Sequence, residues 1–196
     1  MSVPTTALRN VAIAGHGGTG KTTLVEQMLA AGGAIPKAER VETGHTVSDF
    51  TEEEIARKIS IHTSLSHLSW KDHKGNLLDT PGSADFVGEV IAALRVAECA
   101  MLAVGADVGV QIETIKLWRR LVRTEKPRFV FINKMEKERA DFDALQRCRV
   151  LAGCCASGQN TATCMRRLGN EEGGKSESEE WTKHNLAAGR ETRTVV

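Results

Sequence analysis

Two short stretches carry residue types and spacings suited to phosphate chemistry. Gly15-His16-Gly17-Gly18-Thr19-Gly20-Lys21-Thr22 fits G-x-x-x-x-G-K-[ST], with Thr23 following. Only a glycine-rich loop can wrap its backbone N–H groups around a phosphate chain without Cβ clashes. A helix starting within the loop would add the partial positive charge of its N-terminus. Lys21 would supply a compact cation for the β- and γ-phosphates, and Thr22 a hydroxyl for Mg²⁺. The bland alternative is a glycine-rich strand–helix turn with an exposed lysine. The second stretch, Asp79-Thr80-Pro81-Gly82, ends an apolar run. Asp79 there can hold Mg²⁺ directly or through a water, and Gly82 can bring its N–H to a γ-phosphate with no side chain in the way. Alone, D-T-P-G reads as a strand-ending turn; downstream of a phosphate loop the chemical reading is preferred.

A third stretch, Asn133-Lys134-Met135-Glu136, follows the apolar run Arg128–Ile132. It is similar to the N-K-x-D element that reads guanine. In that element the lysine stem packs over the base, and the carboxylate accepts from the guanine N1–H and N2–H₂, a donor pair that adenine lacks. Here the acid is Glu136, one methylene longer. An ordinary charged helix start is the alternative.

The elements that must position these groups are legible as periodicity. Leu8–Ala14 is a short strand-like run, and Lys21–Ala31 carries Leu24, Met28 and Ala31 at helical spacing. Ile59–Trp70 is rich in β-branched residues and predicts a strand; Asn76–Asp79 predicts another after a turn at Lys74-Gly75. Ala84–Ala97 predicts a helix with Phe86, Val90 and Leu94 on one face. Cys99–Val104 and Arg128–Ile132 predict buried strands, separated by a helix over Gln111–Arg123 with Ile112, Ile115 and Leu117 apolar. Strands alternating with helices imply an α/β, P-loop NTPase class of fold, with a mostly parallel sheet and helices on both faces.

The order of these motifs resembles the start of the GTP-binding domain of translation elongation factor G. The resemblance rests on VAIAGHGGTGKTTLVEQML, SDFTEEEIARKISI, NLLDTPGSADFVGEVIAALRVAECAMLAVGADVGVQIET and FVFINKMEKERADFD. It implies GTP and GDP as ligands, Mg²⁺ as cofactor, GTP hydrolysis as activity and the ribosome as partner. It also implies a site in which Gly15 to Thr23, Asp79, Asn133, Lys134 and Glu136 hold the nucleotide. Thr22, Ser60 and Asp79 would hold the metal, and Lys21, Ser60, Gly82 and Ser83 would serve catalysis. Ser60 stands where the family has the Mg²⁺-binding threonine of its first switch segment. Gly18 replaces an aspartate, and Ser83 a histidine that positions the attacking water; with Ser60, they resemble the divergent elongation-factor-G-like paralogues. A nucleotide-binding module without turnover, or a non-functional fragment, are the other readings.

The 196 residues include 26 Lys and Arg against 25 Asp and Glu, so a net charge of +1 gives no bulk pull toward DNA or an acidic membrane. No run approaches the roughly 20 apolar residues that span a bilayer, and the chain reads as cytoplasmic. Residues 1–146 are expected to form the GTP-binding domain. Beyond Gln146 the periodicity stops. Of the 49 residues from Cys148 to Val196, only Val150, Leu151, Leu168, Leu186, Val195 and Val196 are Leu, Ile, Val or Phe. Residues 147–196 therefore read as a low-order tail, out of frame or naturally variable, which would leave the fold incomplete and a sheet edge open. The clustered Cys148, Cys154, Cys155 and Cys164 lack a C-x₂-C pair, and zinc is not expected. His62, His67, His73 and the basic Arg119, Arg120 and Arg123 read as solvated faces.

Overall fold

The computed structural model describes residues 3–141, 145 and, for backbone only, 161–165. In chain order the elements are β1 (Leu8–Gly15), α1 (Lys21–Ala31), α2 (Glu52–Arg57), β2 (Ser64–Trp70), β3 (His73–Asp79), α3 (Val87–Val96), β4 (Cys99–Gly105), α4 (Ile112–Arg123), β5 (Arg128–Asn133) and β6 (Thr161–Met165). The sheet order is β2-β3-β1-β4-β5-β6. Every neighbouring pair is parallel except the β2–β3 hairpin.

Side-chain alternation along the strands builds two cores. Ala12, Ala14, Leu102, Val104, Val130 and Ile132 point to one face, where Val90 and Leu94 of α3 and Leu117, Trp118 and Leu121 of α4 cover them. Ile13, Leu77, Met101 and Phe131 point to the other face, under Leu24, Val25 and Leu29 of α1. Helices thus lie on both faces, as expected for parallel strands buried on both sides. Because β1, β3, β4 and β5 run the same way, their C-terminal residues Gly15, Asp79, Gly105 and Asn133 share one edge of the sheet.

Several local expectations are corrected. β2 starts at Ser64 rather than Ile59, because the N–H groups of Ile61 and His62 donate to the Glu54 carboxylate and that of Thr63 to Glu89. Amides engaged there are not available to a strand neighbour. The hairpin turn is Lys71-Asp72, with φ of 44° and 62°, not Lys74-Gly75. Trp70 pairs with His73, so Lys74 and Gly75 lie inside β3. The helix predicted from Ala84 opens as a single 3₁₀ turn over Ala84–Phe86 before α3. In α4 the buried residues are Thr114, Leu117, Trp118 and Leu121, while Ile112 is 68% exposed. His62, His67 and His73 are exposed, as expected of a solvated face.

A strand does lie within residues 147–196: β6 pairs parallel with β5 from Arg128↔Thr161 to Ile132↔Met165, and β6 rather than β5 is the edge of the sheet on that side. Thr161-Ala162-Thr163-Cys164-Met165 carries no Leu, Ile, Val or Phe, and backbone pairing to β5 places it. Cys148, Cys154, Cys155 and His184 lie outside the described residues.

Candidate functional site

The loop between β1 and α1 is shaped by glycine. Gly20, the residue before α1, has φ of 84°. A Cβ there would collide with the Asn133 amide nitrogen, so the position needs glycine for both conformation and space. No side chain caps the first turn of α1, leaving its N–H groups turned toward the loop. Thr19 closes the loop by donating its hydroxyl to the His16 carbonyl at 2.9 Å. Lys21 folds back over it, donating to the carbonyls of Gly15 and His16, each at 3.1 Å. Only 6% of Lys21 is exposed. Burial pulls its pKa down to about 8, against the opposing pull of Asp79 and Asp49. The D-T-P-G turn packs directly on this loop: a Cβ on Gly82 would lie 2.5 Å from Lys21 Nζ and 2.6 Å from Gly17 N. Thr80 fixes the turn by donating its hydroxyl to the Ile13 carbonyl of β1 at 2.8 Å.

Beside Lys21 lies a pocket of oxygens. Asp79 is 1% exposed, and neither carboxylate oxygen has a hydrogen-bond partner. Burial pushes its pKa up to about 6, although the Thr22 hydroxyl, Lys21 and Ser48 favour the charged form. Thr22 Oγ1 and Ser60 Oγ are 3.2 Å apart. Asp49, buried with both oxygens unpartnered, has its pKa raised by burial, with the Ser60 hydroxyl acting in the opposite direction. Two unpartnered carboxylates against two hydroxyls form a hard oxygen donor set. Among the described residues no cluster of three or more His, Cys, Asp or Glu could hold a metal unaided. The oxygens of Asp79, Asp49, Thr22 and Ser60 fit Mg²⁺, which is ordinarily held by one or two carboxylates together with phosphate oxygens and water.

At the other end, Asn133 Nδ2 donates to the Thr19 carbonyl at 2.9 Å, tying the third motif to the loop. Lys134 takes a left-handed φ of 61° and reaches to 3.6 Å from Asp107 Oδ2. Glu136 is exposed. Ser83 is engaged locally: its Oγ donates to Asp85 Oδ2 at 3.2 Å and accepts from Asp85 N at 3.4 Å, capping the 3₁₀ turn.

Sequence reasoning missed Asp49, Asp107, Glu26 and Glu54. Glu26 is fully buried in α1, and its carboxylate accepts from Val47 N at 2.6 Å and Glu39 N at 3.1 Å. Glu54 had a usable signal, because Thr51-x-x-Glu54 is a capping-box spacing and both of its hydrogen bonds form. Asp49, Asp107 and Glu26 have no local signal; long-range folding alone buries Asp49 and Glu26 and leaves Asp107 half-buried.

Comparison with known proteins gives the family. The elongation factor Tu GTP binding domain model matches residues 6–164. The elongation factor G-like protein of Mycobacterium tuberculosis (strain H37Rv) is 42% identical over 135 residues, which is 69% of this chain and 19% of that protein. The mitochondrial ribosome-releasing factor 2 of Anopheles gambiae is 40% identical over 137 residues, 70% of this chain and 19% of that protein. A crystal structure from Thermus thermophilus superposes with a TM-score of 0.67 at 42% identity, covering 70% of this chain and 21% of that one. The chain thus spans 19% of the length of these two curated relatives.

Proposed function

The chain belongs to the elongation factor Tu GTP-binding domain family, and from that membership we propose that it binds guanine nucleotide with Mg²⁺ and hydrolyses GTP slowly, on the ribosome. The observation that carries the reading is the buried Lys21 ammonium folded over a glycine loop beside the unpartnered Asp79 carboxylate. Such a pair has no structural use that a neutral pair would not serve at lower desolvation cost. A phosphate chain would give Lys21 its anionic partner, and the N–H groups at the start of α1 would take phosphate oxygens. Thr22, Ser60 and Asp79, with Asp49, would hold Mg²⁺, which neutralises phosphate charge when bound. Asn133 would hold loop and base site in register, while Lys134 packs over the base and Glu136 accepts from the guanine edge.

Hydrolysis is attack of water on the γ-phosphate, driven by positioning and charge. Gly82 would bring its N–H close to that phosphate. Ser83 commits its hydroxyl to Asp85, so water is loosely held and turnover should sit near the low end for unassisted GTPases, about 10⁻⁴ s⁻¹. The ribosome as partner rests on the names of the elongation and ribosome-releasing factors among the relatives. The elongation factor G-like relative supports placing the protein in the cytoplasm; no helix among the described residues is long and apolar enough to cross a membrane.

Titration with a fluorescent GDP in Mg²⁺ tests the reading. Lys21→Ala should weaken binding about tenfold to a hundredfold or a little more, through loss of about 1.5–3 kcal/mol of charge-assisted contact. Superimposable curves for the two proteins would overturn the assignment of the phosphate loop. Single-turnover hydrolysis with radiolabelled GTP separates slow turnover from none.

A further inference from the structure

Resting on the guanine-nucleotide reading above, we propose that Glu54 is a positioning residue: its carboxylate holds the Ser60 hydroxyl against Thr22 and thereby sets the grip on a nucleoside triphosphate. Glu54 is 1% exposed, yet it lies in a short helix of only six residues, rich in exposed side chains. Its Oε2 accepts from Thr51 N at 3.1 Å and from Thr51 Oγ1 at 2.8 Å. Its Oε1 accepts from Ile61 N at 2.9 Å and His62 N at 3.0 Å. The Glu54 carbonyl takes Ile59 N at 3.3 Å and also the N–H of Lys58, which turns the chain with a left-handed φ of 55°. Residues 58–62 are therefore wrapped around one glutamate, and Ser60 sits at the middle of the wrap.

All four groups facing the carboxylate are donors. Only an ionised carboxylate, which accepts at both oxygens, can satisfy them. Burial opposes that charge, but the hydrogen bonds from His62, Ile61 and Thr51 outweigh it and hold the carboxyl below the usual glutamate range. Glutamine has the same shape but would turn an NH₂ against two N–H or hydroxyl donors. A carboxylate is far more than a helix cap needs, since the Thr51 hydroxyl already caps the Glu54 N–H at 3.3 Å. The further pair of bonds reaches past the helix to the two residues after Ser60. Thr22 Oγ1, 3.2 Å from Ser60 Oγ, lies on the phosphate-loop side, so the wrap is what brings a hydroxyl from a distant segment to the loop.

A double-mutant cycle on the full chain tests this, using a non-hydrolysable GTP analogue and GDP as probes in Mg²⁺. Glu54→Gln should weaken the triphosphate analogue about tenfold, in line with one lost charge-assisted hydrogen bond. GDP affinity should move by less than about threefold, since its contacts lie on the phosphate loop. Ser60→Ala should weaken the triphosphate analogue to a similar extent. If Glu54 acts through Ser60, the double variant is no weaker than about tenfold, because the two losses are one loss. Additive losses, an unchanged analogue affinity in Glu54→Gln, or parallel losses for GDP and analogue would each overturn the proposal. If Glu54→Gln does not melt cooperatively, Glu54→Asp takes its place in the cycle: it keeps the charge but is too short to reach both donor pairs, and the same outcomes apply. A wild-type chain that binds neither probe removes the guanine-nucleotide reading, and this proposal with it. Binding by wild type with additive losses removes only the proposal.

Discussion

At the residue scale, the site holds charges at a cost that its ligands would relieve. Asp79 is ionised with difficulty: its pKa is about 6 in the fold against 3.8 for an exposed aspartate. A raised carboxyl pKa means that the folded state binds the proton more tightly than the unfolded state. On this account stability is fully present below 3.8, falls as pH rises through the interval to about 6, and stays reduced above it. Asp79→Asn should therefore stabilise the nucleotide-free protein at pH 7.5 by up to about 3 kcal/mol. The gain should shrink as pH falls from 6 toward 4, and Mg²⁺-dependent nucleotide binding should be lost. Urea denaturation of both proteins across that range reads the effect; an asparagine variant no more stable than wild type at pH 7.5 would show that the buried charge is already compensated. Glu136 poses a different question. It is exposed and one methylene longer than the aspartate of the guanine-reading element, so Glu136→Asp should tighten GDP binding by about 1 kcal/mol. Competition between GDP and ADP checks this; unchanged affinities for both would take Glu136 out of base recognition.

At the element scale, the chain from the end of α1 to the start of β2 has little regular structure, and carboxylates organise it in place of a ladder. Glu26 on α1 receives the Val47 and Glu39 amides, Glu54 receives Ile61 and His62, and Glu89 on α3 receives Thr63. The buried amides of a segment without a strand partner must find other acceptors. Glu26 is fully buried and faces two N–H donors. In Glu26→Gln one oxygen becomes a donor facing a donor, at a cost of about 1–3 kcal/mol. Amide exchange at Glu39 and Val47 should accelerate while amides in β1 and β4 keep their protection. Uniform acceleration through the sheet would mean that Glu26 supports the whole fold rather than this segment.

At the scale of the whole molecule, the site is assembled from three strand ends and one irregular segment, so nucleotide should bind only the folded chain. GDP at a hundred times its dissociation constant should add about 2.7 kcal/mol of stability, which for a chain of this length raises the melting temperature by roughly 5–10 °C. Thermal melts with GDP, with ADP and with neither measure it, and Lys21→Ala should flatten the response. The sheet that carries the site ends on that side at β6, whose pairing to β5 spans a long intervening stretch of chain.

The phosphate loop, the strand ends at Asp79 and Asn133, and α1 from Lys21 to Ala31 were legible in the sequence. Their signals are local: glycine placement, an apolar run of strand length, and a helix period interrupted by nothing. Parallel strands then place such ends on one edge of the sheet, so order along the chain was enough to predict a shared site. Other features were decided only by the tertiary structure. Asp49 and Glu54 sit in an acidic run, SDFTEEE, whose composition reads as solvated, and folding buries two of its carboxylates while leaving Glu52 and Glu53 exposed. The strand predicted from Ile59 starts five residues late, because carboxylates claim its first amides. β6 is five residues without Leu, Ile, Val or Phe, and such an edge strand can be held by its backbone hydrogen bonds to a neighbour that only the fold supplies. Periodicity reports which face of an element is buried; it does not report which distant backbone a buried charge will hold.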